Sequence, residues 1–438
     1  MLATAGLQFR DWSADYRLFE HERVEISQLF APIRDKIADQ YPKQQALSIV
    51  LDDTRLCKTG TKIHGTKWLR DPLGPKFQTN FIWGQRFLQT SAILPEKFDQ
   101  PSAARAIPID FHHCPMTPKP RTKATTQEQF DQWKKQRQTE RISVIGAQKI
   151  SDIRTQIDSQ SEGKDREIIC SLDGGYTNTT VFRNIPDRTT LIGRIRKDAK
   201  IFDPPDSVTH SGTGRHRVYG ASLPTPEQIF KDEALPWETV SAFAAGRVHD
   251  FQIKTIAPIR WRGTGARDLR LVIIKPLKYR LSKNWKANYR HPGYLLCSDT
   301  KLEIKTLLQN FIWRWEIEVN FRDEKTLLGV GEQQTWTPEA ASLAPSFFVA
   351  AYSYLLMASY LTYPKVEQAT VLPRPLWRQS HPPKRITTNQ MISTLRSQLW
   401  QKALGLPNLT DFASLLTRQT KSVLLENTLN SAVLYAVN

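Results

Sequence analysis

FIWRWEIEVNFRDEKTLLGVG, residues 311–331, sets Arg314, Glu318, Arg322 and Lys325 on one narrow helical stripe at about 100° per residue, with Phe311 at its upper end. Trp313, Ile317, Phe321 and Leu328 lie on one side of that stripe. Leu308, Ile312, Trp315 and Val319 lie on the other, so apolar surface flanks the charges twice. The charges therefore point inward. Gln309, Glu316, Asn320 and Asp323 form the opposite, fully polar face, where a surface helix normally keeps its ions. As a plain i,i+4 ladder, Arg314, Glu318 and Arg322 would stabilise a helix by only about 0.2–0.5 kcal/mol per pair. An acid held between cations in an apolar setting also suits a metal and phosphate site, and partner acids would decide between the two readings.

Two short apolar runs supply such partners. ALSIVL (46–51) reads as a buried strand and stops at Asp52, Asp53 and Thr54. EIICSL (167–172) is a second strand that stops at Asp173, Gly174 and Gly175, although Asp before two glycines is also an ordinary turn former. Acids at the carboxyl ends of neighbouring strands, with a third from a packed helix, converge at one end of a mixed sheet. Magnesium takes hard oxygen ligands and keeps water and phosphate for the rest of its shell. Asp52 and Asp53 compete for the first place: if the strand runs one residue further, alternation sends them to opposite sides and only one serves the site. His112 and His113 have no ligand spacing around them and read as loop residues.

The helix resembles the signature of the DDE transposases of bacterial insertion sequences. In the cut-and-paste group of that family the pattern is Tyr, two residues, Arg, three residues, Glu, six residues, Lys. Here those positions read Phe311, Arg314, Glu318 and Lys325, three of the four matching. LDDT (51–54) is similar to the segment with the first catalytic acid, which by its place before Thr is Asp53, and SLDGGYTN (171–178) to the segment with the second, Asp173. The likeness covers about residues 46–360. It implies an α/β fold, a ribonuclease-H-like mixed sheet flanked by helices. It implies Asp53, Asp173 and Glu318 as catalytic residues holding two Mg2+ ions per active site, with Mn2+ as a substitute. Arg314 and Lys325 would grip phosphate near the cut, with Arg322 a further DNA contact. Phe311 lacks the phenol that could bond phosphate. Trp261 or Trp285 would receive a flipped base, against the plainer reading of both as packing residues. The implied activity is hydrolysis at transposon ends and transfer of the 3′ hydroxyls into target DNA by a homodimer formed on double-stranded DNA. The rivals are a ribonuclease-H-like nuclease without strand transfer and a domesticated transposase-derived DNA-binding protein.

Composition points the same way. The chain has 438 residues and 40% hydrophobic content, enough for a full core and more than one domain. Sixty-one Lys and Arg against 43 Asp and Glu leave +18, spread along the chain, which implies a polyanionic partner. Cys57, Cys114, Cys170 and Cys297 form no paired ligand motif and fit a reducing compartment, the cytoplasm and nucleoid in a bacterium. MLATAGLQFRDW has no basic start followed by an apolar run, and SFFVAAYSYLLMASY (346–360) is a core helix, so no membrane is expected. The expected order is a helical region with possible DNA binding (1–45), the first part of the catalytic core (46–197), and a β-rich insertion (198–294). The second part of the core with its catalytic helix (295–365) and a C-terminal helical region (366–438) follow.

Overall fold

Short β-branched runs make the strands and longer stretches of helical period make the helices, in a mixed α/β arrangement. The computed structural model describes residues 11, 13–21, 23–71, 74–75, 77–120, 125–160, 163–205, 216–279, 285–362 and 385–403. In chain order the helices are α1 (Ser13–Glu20), α2 (Ile26–Gln40), α3 (Gln127–Thr139), α4 (Ile142–Asp158), α5 (Thr179–Arg183), α6 (Pro226–Lys231), α7 (Ile304–Trp313), α8 (Glu316–Leu327), α9 (Pro338–Thr362) and α10 (Thr388–Ala403). The strands are β1 (Leu47–Cys57), β2 (Lys67–Arg70), β3 (Phe81–Pro95), β4 (Ala104–His113), β5 (Ile168–Leu172), β6 (Thr189–Arg194), β7 (Ile201–Phe202), β8 (Glu238–Ala244), β9 (Arg247–Trp261), β10 (Leu269–Ile274), β11 (Lys278–Tyr279), β12 (Asn288–Tyr289) and β13 (Gly293–Cys297). Contacts divide the chain into two units. One comprises Met1–Ile33, Leu56–Gln85 and Asn320–Asn438, the other Arg34–Arg55 and Arg86–Val319.

The second unit is built on a mixed sheet in the order β4-β3-β1-β5-β6-β13-β10-β9, with β8 and β7 also on β9. β1, β5 and β6 run parallel, and β6, β13, β10 and β9 are successively antiparallel. The stretch read as a β-rich insertion holds β7 to β12 and the short helix α6, and its β9 and β10 extend this sheet instead of forming a core of their own. Ala242, Phe251, Ile253 and Val272 join Ile169, Ile192, Leu295, Leu307 and Leu308 in one buried cluster. α7 covers that face. A hydrogen bond from the Ser48 hydroxyl to Asn310 Oδ1 ties it to β1. α4 buries Ile150, Ile153 and Ile157. Arg154, 4% exposed, donates to the carbonyls of Arg166 (2.6 Å) and Gly163 (2.9 Å) and to Asp158 (2.6 Å), which gives a buried guanidinium its acceptors.

In the first unit, β2 pairs antiparallel with the start of β3, and the Phe19 and Phe347 rings meet edge to face at 5.5 Å. Asp323 is buried and accepts hydrogen bonds from the Thr388 hydroxyl (2.5 Å) and the Tyr352 hydroxyl (3.4 Å). Lys58 donates to the carbonyls of Gly331 (2.7 Å) and Gln333 (2.5 Å), and burial pushes its pKa down to about 8. α9 contains the expected core helix. Among the described residues it is the one helix long and apolar enough to cross a bilayer, and 67% of its most apolar window is buried. Within the expected C-terminal helical region (366–438), α10 is helical, and residues 366–384 and 404–438 lie outside the described residues.

Candidate active site

The parallel register of β1 and β5 pairs Ser48 with Ile169, Val50 with Ser171 and Leu51 with Leu172. One step further the chain delivers Asp52 beside Asp173, the residue directly after β5. β1 does not end at its acids but continues to Cys57, so side chains alternate through them. Ser48, Val50 and Asp52 therefore share the α7 face, and Leu47, Ile49, Leu51 and Asp53 share the other.

On the α7 face, Arg314 Nη1 lies 3.6 Å from Asp52 Oδ2 and 4.0 Å from Glu318 Oε1. The Asp52 and Arg314 side chains are only 14% and 12% exposed, while Glu318 is 41% exposed and opens to solvent. Burial raises the pKa of Asp52 from 3.8 to about 7; Arg314 opposes the rise, and the charges of Asp173 and Asp53 add to it. Arg314 Nη1 is itself buried and makes no hydrogen bond. A buried donor in that state is costly, and an anionic oxygen is the group that satisfies it best. The guanidinium carbon stands 5.8 Å from the centre of the Phe311 ring, so the missing phenol leaves a cation–π contact in its place.

Asp53 has different company. Arg86 Nε donates to its Oδ2 at 2.8 Å, the Tyr176 hydroxyl to its Oδ1 at 3.0 Å, and Arg55 Nη2 stands 3.9 Å away. Tyr176 is 2% exposed and packs where Gly146 of α4 leaves room; a Cβ on Gly146 would meet the ring at 3.0 Å. Thus the acid that faces Asp173 and Arg314 is Asp52, because the strand outlasts the apolar run by six residues, whereas Asp53, the acid expected there from its place before Thr, faces Arg86 and Tyr176. Arg86 and Tyr176 carry no mark in the sequence that pairs them with Asp53, since strand pairing brings them together across long separations.

The helix read as continuous is broken. α7 ends at Trp313 and α8 begins at Glu316. Across the joint the N–H groups of Trp315, Ile317 and Glu318 donate to carbonyls three residues back, at 3.1–3.2 Å. Such tight turns advance more than 100° per residue and rotate everything beyond them. Trp315, expected on an apolar flank, is therefore 61% exposed, while Asn320 and Asp323 of the expected polar face are buried. Arg322 and Lys325 are exposed on α8, and Arg322 pairs with Asp323 at 2.8 Å. Trp261 packs edge to face on Phe182 at 6.0 Å and against Gly263, whereas Trp285 is 60% exposed. His112 and His113 lie in β4, not a loop, where His113 stacks on Phe87 at 4.7 Å.

Asp52, Asp173 and Glu318 offer the hard carboxylate oxygens that Mg2+ prefers, and two adjoining carboxylates in a buried setting favour a cation that cancels their repulsion. Among the described residues no three His, Cys, Asp or Glu side chains are gathered as a ready metal cluster, and Arg314 stands between Asp52 and Glu318. No family model and no curated protein matches this chain.

Proposed function

We propose that the chain is a metal-dependent DNA transposase of the DDE kind, on a ribonuclease-H-like core, with Asp52, Asp173 and Glu318 as its three acids. The observation that carries this reading is the register that brings Asp52, within β1, alongside Asp173, the residue after the end of parallel β5, with Arg314 between Asp52 and Glu318. The mixed sheet with a parallel centre supports the fold that the sequence resemblance implies, and the +18 charge supports a DNA partner. Asp52, Asp173 and Glu318 would hold divalent ions, Mg2+ or Mn2+, whose chemistry is to activate the attacking hydroxyl and stabilise the departing oxygen. Arg314 turns its unsatisfied Nη1 to a phosphate oxygen and orients the strand for in-line attack, first by water and then by the 3′ hydroxyl. Arg322 and Lys325 are exposed cations suited to phosphate farther along the duplex, and Trp285 is an exposed ring suited to a displaced base. A homodimer on DNA and a cytoplasmic, nucleoid-associated setting complete the reading.

Purified protein should nick and join end-bearing DNA only with Mg2+ or Mn2+, and Asp52→Asn, Asp173→Asn and Glu318→Gln should each abolish both steps while DNA binding persists. Cutting at the normal rate by folded Asp52→Asn or Glu318→Gln protein would overturn the site. Cutting without joining of 3′ ends identifies a nuclease instead. Binding without cutting in any divalent metal identifies a DNA-binding protein.

A further inference from the structure

The β2–β3 hairpin of the first unit carries an aromatic and cationic face that the proposed chemistry does not use. The register pairs Trp68 with Trp83 and Arg70 with Phe81, so alternation puts all four on one side of the ribbon. Leu69 and Ile82 take the other side, where Leu69 is buried. The unused face is open: Trp68 is 65% exposed and Phe81 59%, and Phe77 in the same hairpin is 90% exposed. Trp83 is the anchored member. Its Nε1 donates to the Gly60 carbonyl at 3.1 Å, and its ring meets Trp68 edge to face at 5.5 Å. Two large rings held by strand geometry in water are unfavourable unless something covers them.

The surroundings select what that is. Leu56–Gln85 contains Lys58, Lys62, Lys67, Arg70 and Lys76 against the single carboxylate Asp71. Lys58 is occupied by backbone carbonyls, but Lys62 and Arg70 are exposed, and Arg70 stands directly across from Phe81. A second copy of the same face would bring like charges together, which opposes self-association. An unpaired nucleotide presents the complement: a flat base for the rings and a phosphate for the cations. Duplex DNA hides its base faces in the stack and offers these rings nothing but its ends. Resting on the reading of the chain as a DNA-processing enzyme, we infer that the Trp68/Phe81 face of the β2–β3 hairpin is a stacking platform for unpaired bases of single-stranded DNA.

The test compares binding of the full chain to a short labelled duplex with and without an unpaired thymidine extension, in the absence of divalent metal. The extension should tighten wild-type binding by roughly tenfold or more. Trp68→Ala/Phe81→Ala should erase that gain and leave blunt-duplex binding unchanged, whereas Trp68→Phe should retain most of it. Arg70→Gln should reduce the gain and weaken its salt dependence. An equal gain in wild type and the double variant would overturn the inference, as would equal weakening of both DNAs. So would a variant that shifts only the oligomeric state in sedimentation, which would make the face a contact between copies. Asp52→Asn protein should show the full gain while failing to cut, so the platform and the catalytic reading stand or fall separately.

Discussion

Asp52 and Asp53 are consecutive residues in one strand, yet they live in two different electrostatic regions. Asp52 faces α7, Asp173 and Arg314, whose Nη1 makes no hydrogen bond, and its pKa is driven up to about 7, chiefly by burial. Asp53 faces α4, with both oxygens taken by Arg86 and Tyr176. Asp52 accepts one hydrogen bond, from the Asp53 N–H at 2.8 Å, whereas Asp53 has a donor on each oxygen. A carboxylate whose pKa is shifted by burial is a candidate for a reactive group, and a fully bonded one suits a scaffold.

The largest effect should come from exchanging charge on the two sides. Asp52→Asn should lower DNA cutting by orders of magnitude and leave folding intact. Asp53→Asn should reduce stability by about 1–3 kcal/mol through the weakened Arg86 pair, with cutting down less than tenfold. Strand-cleavage rates and denaturant melts on both variants decide it, and the opposite pattern would restore Asp53 as the catalytic acid.

Next in size is a pH effect. The folded pKa of Asp52, about 7, lies above its ordinary 3.8, so between those values the folded protein binds more protons than the unfolded chain. Its contribution to stability is greatest below about pH 4, declines as pH rises towards 7 and is level above. At about 1.4 kcal/mol per pKa unit this amounts to a few kcal/mol. Melting temperatures taken across that window should show the slope in wild type and Asp53→Asn but not in Asp52→Asn. Mg2+ added at pH 8 should recover part of the loss in wild type and Asp53→Asn but not in Asp52→Asn.

Gly146→Ala probes the quieter side by pushing on the Tyr176 ring that holds Asp53. Overpacking there should cost about 1–3 kcal/mol and shift the thermal midpoint more than the cutting rate. The smallest effect belongs to Arg322, which shares the expected stripe with Arg314 but is 66% exposed. Arg322→Lys, which keeps a cation beside the buried Asp323, should change stability by less than about 0.5 kcal/mol. Arg314→Ala should depress cutting strongly; equal effects on cutting would erase the distinction between the joint and the helix beyond it.

Much of this was legible in the sequence. ALSIVL and EIICSL announce strands because nothing else explains short apolar runs that stop on acids, and the β-rich character of 198–294 follows from its alternation. The helical period puts Glu318 beside Arg314, and the two do stand 4.0 Å apart even though the helix breaks four residues before Glu318. The break itself was invisible, since Arg314 and Trp315 are ordinary helix formers and a three-residue hydrogen-bond pattern is decided by packing. Asp52 was hidden for a related reason. Thr54, Arg55, Leu56 and Cys57 look like the start of a loop, but pairing within the sheet keeps them extended. Tertiary contacts decide where a strand ends, and the face of an acid depends on that ending.

The acid doublet can be read in two frames. Slide β1 by one place and Asp53 would occupy the position Asp52 now holds, so an acid would still meet Asp173. Leu47, Ile49 and Leu51, at most 2% exposed, would then exchange sides with Ser48, and the Ser48 bond to Asn310 would be lost. Which of the two acids faces Asp173 is thus set by three aliphatic side chains and a serine.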